Sequence, residues 1–169
     1  MNVGKIIDYL IGQANGLKIQ KAQMLRLNEG LAQELFPQVA RQGYFKEVEK
    51  FLCSDVVVGL EIVGENSIAQ VKDICGPENP ITAKQEQPAT IRALFGFDSI
   101  KNAVHRSEDA QMSEQERAIF FGDRARHECY SALLTNCTLC LIKPHILQSG
   151  QTGKIIDKIL DDGFEISAM

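Results

Sequence analysis

The residues of this chain whose types and spacing could do chemistry lie in Asn102-Ala103-Val104-His105-Arg106-Ser107-Glu108-Asp109, followed by Glu116 and then by Phe120-Phe121. A histidine is the centre of that stretch. Imidazole attacks phosphorus only in its neutral form, and its ordinary pKa of about 6.5 leaves most of it neutral at cytosolic pH. A carboxylate that accepts a hydrogen bond from the other ring nitrogen fixes the tautomer and raises nucleophilicity. A histidine beside acidic residues also has a plain reading, as a solvated or helix-capping side chain, so the elements that position it decide its meaning.

Residues 4–12 place Ile6, Ile7, Leu10 and Ile11 on one stripe, which predicts an amphipathic helix ended by Asn15-Gly16. Residues 17–25 alternate as a strand does, and Asn28 is placed to cap a second helix over 29–36. Pro37 opens the next stretch, and Phe45, Val48 and Leu52 mark a helix within 44–52. The β-branched run 56–63 reads as the clearest central strand, and 67–75 as a short helix. Gly76-Pro77-Glu78-Asn79-Pro80 breaks that helix and leads into a long polar loop ending at Pro88. The order predicts an α+β fold with helices on a sheet. Two later segments repeat earlier ones: Gly153-Lys154-Ile155-Ile156-Asp157 matches Gly4-Lys5-Ile6-Ile7-Asp8, and Gly163-Phe164-Glu165-Ile166 answers Gly16-Leu17-Lys18-Ile19. Residues 122–136, of mixed charge and no periodicity, read as a linker.

With 169 residues, 44% hydrophobic and 24% charged, the chain is long enough for one ordinary soluble domain with a sizeable core. A net charge of -4 and the lack of a basic run argue against a nucleic-acid binder. No run of about 18 apolar residues exists, and the N-terminus leads into the amphipathic helix, so no membrane partner is expected and the cytoplasm is the default location. Five cysteines, Cys53, Cys75, Cys129, Cys137 and Cys140, form an odd, scattered set that fits reduced thiols. Cys137 and Cys140 have CxxC spacing but open the apolar run Leu139-Cys140-Leu141-Ile142, which reads as a buried strand and would point them to opposite faces. No metal site is expected.

Several of these segments together, Thr90-Ile91-Arg92, Asn102-x-x-His105-x-Ser107, Glu116 and the Gly76-Pro77-x-Asn79-Pro80 loop, resemble the nucleoside diphosphate kinases. The resemblance covers nearly the whole chain. It implies a ferredoxin-like α+β fold, an antiparallel sheet covered by helices, whose first strand here is either absent or supplied by residues 138–142. That segment, with Lys143-Pro144-His145 behind it, resembles the strand that opens such a domain. The layout resembles the tandem members associated with cilia, centrosomes and axonemal microtubules. It implies a domain lacking its first strand over 1–121, the linker at 122–136, and over 137–169 the first strand, helix and second strand of a second domain.

The implied activity is transfer of the terminal phosphate of a nucleoside triphosphate to a nucleoside diphosphate through a phosphohistidine at His105, with Glu116 orienting the imidazole. Arg92 and Lys72 match phosphate-binding positions, Asn102 the ribose contact, Tyr44 the aromatic ring on the base, and Lys143 the phosphate-region lysine of the second copy. Magnesium would come bound through the nucleotide phosphates, without a carboxylate cage of its own. The implied partners are nucleoside tri- and diphosphates. The sequence departs from the family at Phe36, where a tyrosine is usual, at Glu78, where many members have threonine, and at His145, where aspartate is usual. Residues 81–87 make a loop about three residues longer than that used for trimer contacts in the hexameric enzymes, so a hexamer is not expected. These departures leave a second reading open: a catalytically weak or inactive structural module of a microtubule, axoneme or centrosome-associated protein, with a cytoskeletal, centrosomal or ciliary location.

Overall fold

The stripe of Ile6, Ile7, Leu10 and Ile11 does form a helix, and it opens an α+β chain. A computed structural model describes residues 2–13, 16–37, 40, 43–133 and 135–169. The elements run α1 (Val3–Gln13), β1 (Lys18–Leu25), α2 (Glu29–Leu35), α3 (Phe45–Leu52), β2 (Val57–Val63), α4 (Ser67–Cys75), α5 (Pro80–Glu86), α6 (Ile91–Phe95), α7 (Ala110–Phe120), α8 (Asp123–Glu128), α9 (Pro144–Gln148) and α10 (Thr152–Asp161). The expected stop of α1 at Asn15-Gly16 falls partly outside the described residues.

β1 and β2 pair with each other in one two-stranded sheet. They are antiparallel. A Cβ on Gly64, just past β2, would meet Leu17 before β1, while Arg26 after β1 pairs with Asp55 before β2 at 3.4 Å. Among the described residues β2 has β1 as its sheet neighbour and no third strand, so it is not the central strand expected.

Two compact units are distinguished, one of the described residues in 1–18, 62–106 and 134–166, the other of those in 19–61, 107–133 and 167–169. In the first unit Leu10, Cys75 and Ile91 form a buried cluster, with Ile6, Tyr9, Val71, Ile74 and Val104 against it. The repeated segments pack on each other here. A Cβ on Gly4 of α1 would lie 2.4 Å from the Asp157 backbone nitrogen, and one on Gly153 of α10 would lie 2.4 Å from that of Asp8. Each copy's glycine thus receives the other copy's aspartate backbone, a reciprocal crossing that only hydrogen side chains permit.

In the second unit Leu25, Leu27, Leu31, Leu35, Ala125 and Cys129 form the core, with Phe36, Leu52, Val57, Ile119 and Phe120 packed against it. Asn28 caps α2 as expected, its side-chain oxygen accepting from the Leu31 N–H at 2.9 Å. Gly59 leaves room for the Phe120 ring, since a Cβ there would come within 2.3 Å of it. Glu61 of β2, 6% exposed, is held between Lys21 at 3.2 Å and Arg117 at 3.3 Å.

Four expectations need correction. Residues 138–142 form no strand and do not complete the sheet; they run irregularly, with Leu139 and Leu141 79% and 75% exposed. A short apolar run takes strand form only with partners to pair with, and propensity alone does not impose it. Nor are 163–166 a strand. The expected linker is ordered structure over 122–133: α8 lies there, Ala125 and Cys129 are buried, and Cys129 O accepts from the Arg26 N–H at 2.9 Å. Two small apolar residues one turn apart are too little periodicity to see in sequence. The polar loop before Pro88 is mostly α5, which Asn79 caps by accepting from the Ile81 N–H at 2.9 Å and which Pro80 opens at a position that needs no N–H.

Candidate active site

In the first unit α6 follows Thr90, a buried residue whose hydroxyl donates to Gln87 O at 2.8 Å and fills the space a side chain on Gly76 would need. Gly76 also has φ of +77°, so glycine is required there on both counts. Arg92, one residue into α6, points inward and is 3% exposed. Its Nη1 donates to Gly76 O at 2.8 Å, while Nε and Nη2 donate to Val104 O at 3.3 and 3.2 Å. A rigid fork of donors suits two carbonyls held in fixed places.

Val104 is the residue before His105. Its N–H donates to Asn102 O at 3.0 Å across Ala103, whose φ is +74°. That is a γ-turn through a left-handed alanine, a conformation that costs on the order of 1 kcal/mol or more and persists only where surroundings enforce it. His105 leaves this turn exposed to solvent, and Asn102 is half-buried. The turn is prepared upstream by Asp98, whose carboxylate accepts from the Lys101 and Ile100 N–H groups at 2.7 and 2.8 Å. Those two bonds hold the Asp98 carboxyl below its usual pKa. Sequence reading missed Asp98. Its signal was an Asp two residues ahead of its backbone partner, the pattern of an Asx turn.

Lys72 is exposed on the last turn of α4, and Glu78 is exposed ahead of α5. Lys143 is exposed at the start of α9, with His145 exposed on that helix. Burial pushes the Cys75 thiol up, against the opposing pull of the Arg92 and Arg106 cations. In the second unit Asp109 caps α7 by accepting from the Met112 N–H at 2.8 Å, which sets the helix that carries Glu116. The Glu116 carboxylate accepts a bond from the Ser107 hydroxyl at 2.5 Å. Tyr44 precedes α3 and is 50% exposed, Phe36 packs on the core, and His127 is exposed on α8.

The first unit therefore joins Arg92, Asn102 and His105 in one bonded stretch, with Lys72 and Lys143 exposed elsewhere in that unit. Tyr44 and Glu116 belong to the second unit. Among the described residues no group of three or more His, Cys, Asp or Glu is placed to hold a metal ion, and no helix is long and apolar enough to cross a membrane. Cys137 and Cys140 are free and exposed, so the expected buried strand is not what keeps them apart.

The sequence model of the nucleoside diphosphate kinase family matches residues 1–125. Over 167 residues the chain is 35% identical to a rat protein named nucleoside diphosphate kinase homolog 7, covering 98% of this chain and 42% of the rat protein. The chain thus spans well under half the length of that relative. It is also 35% identical over 122 residues to the nucleoside diphosphate kinase of Wolinella succinogenes, covering 72% of this chain and 85% of that one. The Aquifex aeolicus nucleoside diphosphate kinase crystal structure superposes with a TM-score of 0.68 at 31% identity, over 73% of this chain and 86% of that one.

Proposed function

Because the chain belongs to the nucleoside diphosphate kinase family, we propose that it transfers the terminal phosphate of a nucleoside triphosphate to a nucleoside diphosphate through His105. A neutral imidazole nitrogen forms a bond to the γ-phosphorus while the bridging P–O bond breaks, its electron pair leaving with the nucleoside diphosphate. The reverse step on a second diphosphate restores the histidine. The observation that carries this reading is the γ-turn at Ala103, which holds conformational strain two residues ahead of an exposed histidine. A scaffold has no use for that strain.

Glu116 is assigned the role of orienting the imidazole, Tyr44 of stacking on the base, Asn102 of contacting the ribose, and Lys72 and Lys143 of drawing the phosphates. Stacking tolerates any base, which suits an enzyme without base preference. Magnesium would enter on the nucleotide phosphates, where it neutralises charge; the described residues offer no cage that would hold it beforehand. Incubation with ATP labelled in its γ-phosphate should leave an acid-labile phosphohistidine. No label, or label that survives His105→Ala, would sink the proposal.

A second reading is a structural module with weak or no activity in a microtubule, axoneme or centrosome-associated protein. Phe36, which brings no hydroxyl and packs on the core, favours it, as does the match to nearly all of the chain in a much longer relative. A cytoplasmic, cytoskeletal, centrosomal or ciliary location goes with these two readings. Intact folding with no phosphohistidine under the conditions above would select it.

A further inference from the structure

A carboxylate buried in the middle of the apolar run 56–63 is out of place unless it holds something. We propose that Glu61 is a positioning residue for Glu116: by holding Arg117 on the sheet it sets the rotation of α7 that brings the Glu116 carboxylate to Ser107. This inference rests on the orienting role proposed for Glu116, and its residues all lie in the second unit.

α7 meets the sheet along one face. Arg117, Phe120 and Phe121 stand at i, i+3 and i+4, so their side chains fall on the same side of the helix. Phe120 lies against Gly59, where a Cβ would come within 2.3 Å of the ring. Two residues further along β2, and therefore on the same strand face, Glu61 Oε1 accepts from Arg117 Nη1 at 3.3 Å. Lys21 Nζ stands 5.7 Å from the centre of the Phe121 ring and 3.2 Å from the other Glu61 oxygen. Both cations are about half exposed, whereas Glu61 is buried. An exposed ion pair would hold little, but a buried carboxylate keeps its cations because losing one leaves an uncompensated charge out of water.

Glu116 lies about 100° around the helix axis from Arg117, and its carboxylate accepts from the Ser107 hydroxyl at 2.5 Å. With side chains the helix has a radius of about 5–6 Å, so a rotation of only about 10° carries that carboxylate about 1 Å. The Ser107 bond would then reach about 3.5 Å and cease to be one. The Asp109 cap fixes where α7 starts, and the Phe120 ring can slide over a glycine that offers no side chain to stop it. The charge-assisted bond to Glu61 has one length and one direction, and it is what fixes the rotation.

The test is Glu61→Leu, which nearly keeps the volume and removes the acceptor. The chain should still fold, because Lys21 and Arg117 can turn to water. In a crystal structure of the variant the Ser107 hydroxyl and the Glu116 carboxylate should stand more than about 3.5 Å apart. With γ-labelled ATP the maximal rate of His105 phosphorylation should fall about 10–100-fold, while the ATP concentration giving half that rate stays within about twofold. In a Glu116→Gln background the same substitution should cost no more than about twofold further, because no carboxylate remains to be positioned. An unchanged Ser107–Glu116 bond overturns the proposal whether or not the chain is a kinase. Wild-type chain that takes up no phosphate fails the proposed function alone, and the Ser107–Glu116 separation still decides this one. An equal loss of rate in both backgrounds also overturns it and leaves Glu61 a residue of the fold only. If Glu61→Leu does not fold, Arg117→Leu removes the other half of the bond and leaves Glu61 to Lys21. The same opening of the Ser107 bond and the same loss of rate are then expected, and an intact bond or an unaltered rate refutes the positioning role.

Discussion

Replacing Gly153 by alanine separates a docked α10 from a helix that merely lies nearby. A Cβ at 153 would stand 2.4 Å from Asp8 N, 2.6 Å from Gly4 O and 2.7 Å from Asp8 Cα, whereas ordinary contact begins near 3.4 Å. The helices must therefore part by about 1 Å, because all three obstacles are backbone and no rotamer relieves them. Overpacking of that kind costs about 1–3 kcal/mol. Alanine for glycine in a helix otherwise gains about 0.5–1 kcal/mol, so the net loss expected is centred near 1 kcal/mol. For a chain of this size that lowers Tm by about 2–4 °C. Urea unfolding followed by circular dichroism reads the difference directly. Gly4→Ala, against Asp157, should behave alike, and the double variant should lose less than the two singles summed, because both open one crossing. Gly12→Ala on the same α1 is the internal control: nothing lies within 4 Å of its Cβ, so it should gain about 0.5–1 kcal/mol. If Gly153→Ala and Gly4→Ala gain stability as Gly12→Ala does, the reciprocal crossing is wrong.

Gly59→Ala should destabilise the chain by about 1–3 kcal/mol by driving a methyl into the Phe120 ring, and Phe120→Leu in that background should recover part of the loss on urea unfolding. Asp98 contributes stability that is fully present above its ordinary pKa of about 3.9 and is lost as pH falls through its lowered folded value. Asp98→Asn should therefore flatten the acid limb of an unfolding curve, and an identical limb would remove Asp98 from the turn. With a thiol-reactive disulfide reagent in native buffer, exposed Cys137 and Cys140 should react quickly, while buried Cys75, its thiol pushed up by burial, and buried Cys129 react only on unfolding. Peptide mapping of the labelled sites checks the order.

The elements most legible in sequence were those whose pattern needs no partner. The stripe of α1, the alternation of β1, the β-branched run of β2 and the Asn28 cap are each set by neighbours a few residues away, and all four stand in the structure. What stayed hidden depends on contacts distant in sequence. The run 138–142 has a strand's composition, yet it finds no sheet neighbour and remains exposed. Conversely α8 looks like a linker until Leu25 and Leu31 are seen to bury Ala125 and Cys129. At the candidate site, residue type and acidic neighbours drew attention to His105, and the family resemblance drew it to Asn102 and Arg92, but the inward aim of Arg92 was not legible. Its acceptors are backbone carbonyls, which every residue has, so no side-chain pattern announces them. Gly76 was read as part of a helix-breaking loop and of a family motif, and the pressure of Thr90 against it came from packing.

The most direct test of the account is a two-step transfer. The chain is treated with γ-labelled ATP, freed of nucleotide, and then given unlabelled GDP. The account predicts acid-labile label on His105 before GDP is added and labelled GTP afterwards, with neither formed by His105→Ala. A folded protein that takes up no label, or that holds label which GDP cannot remove, would contradict it.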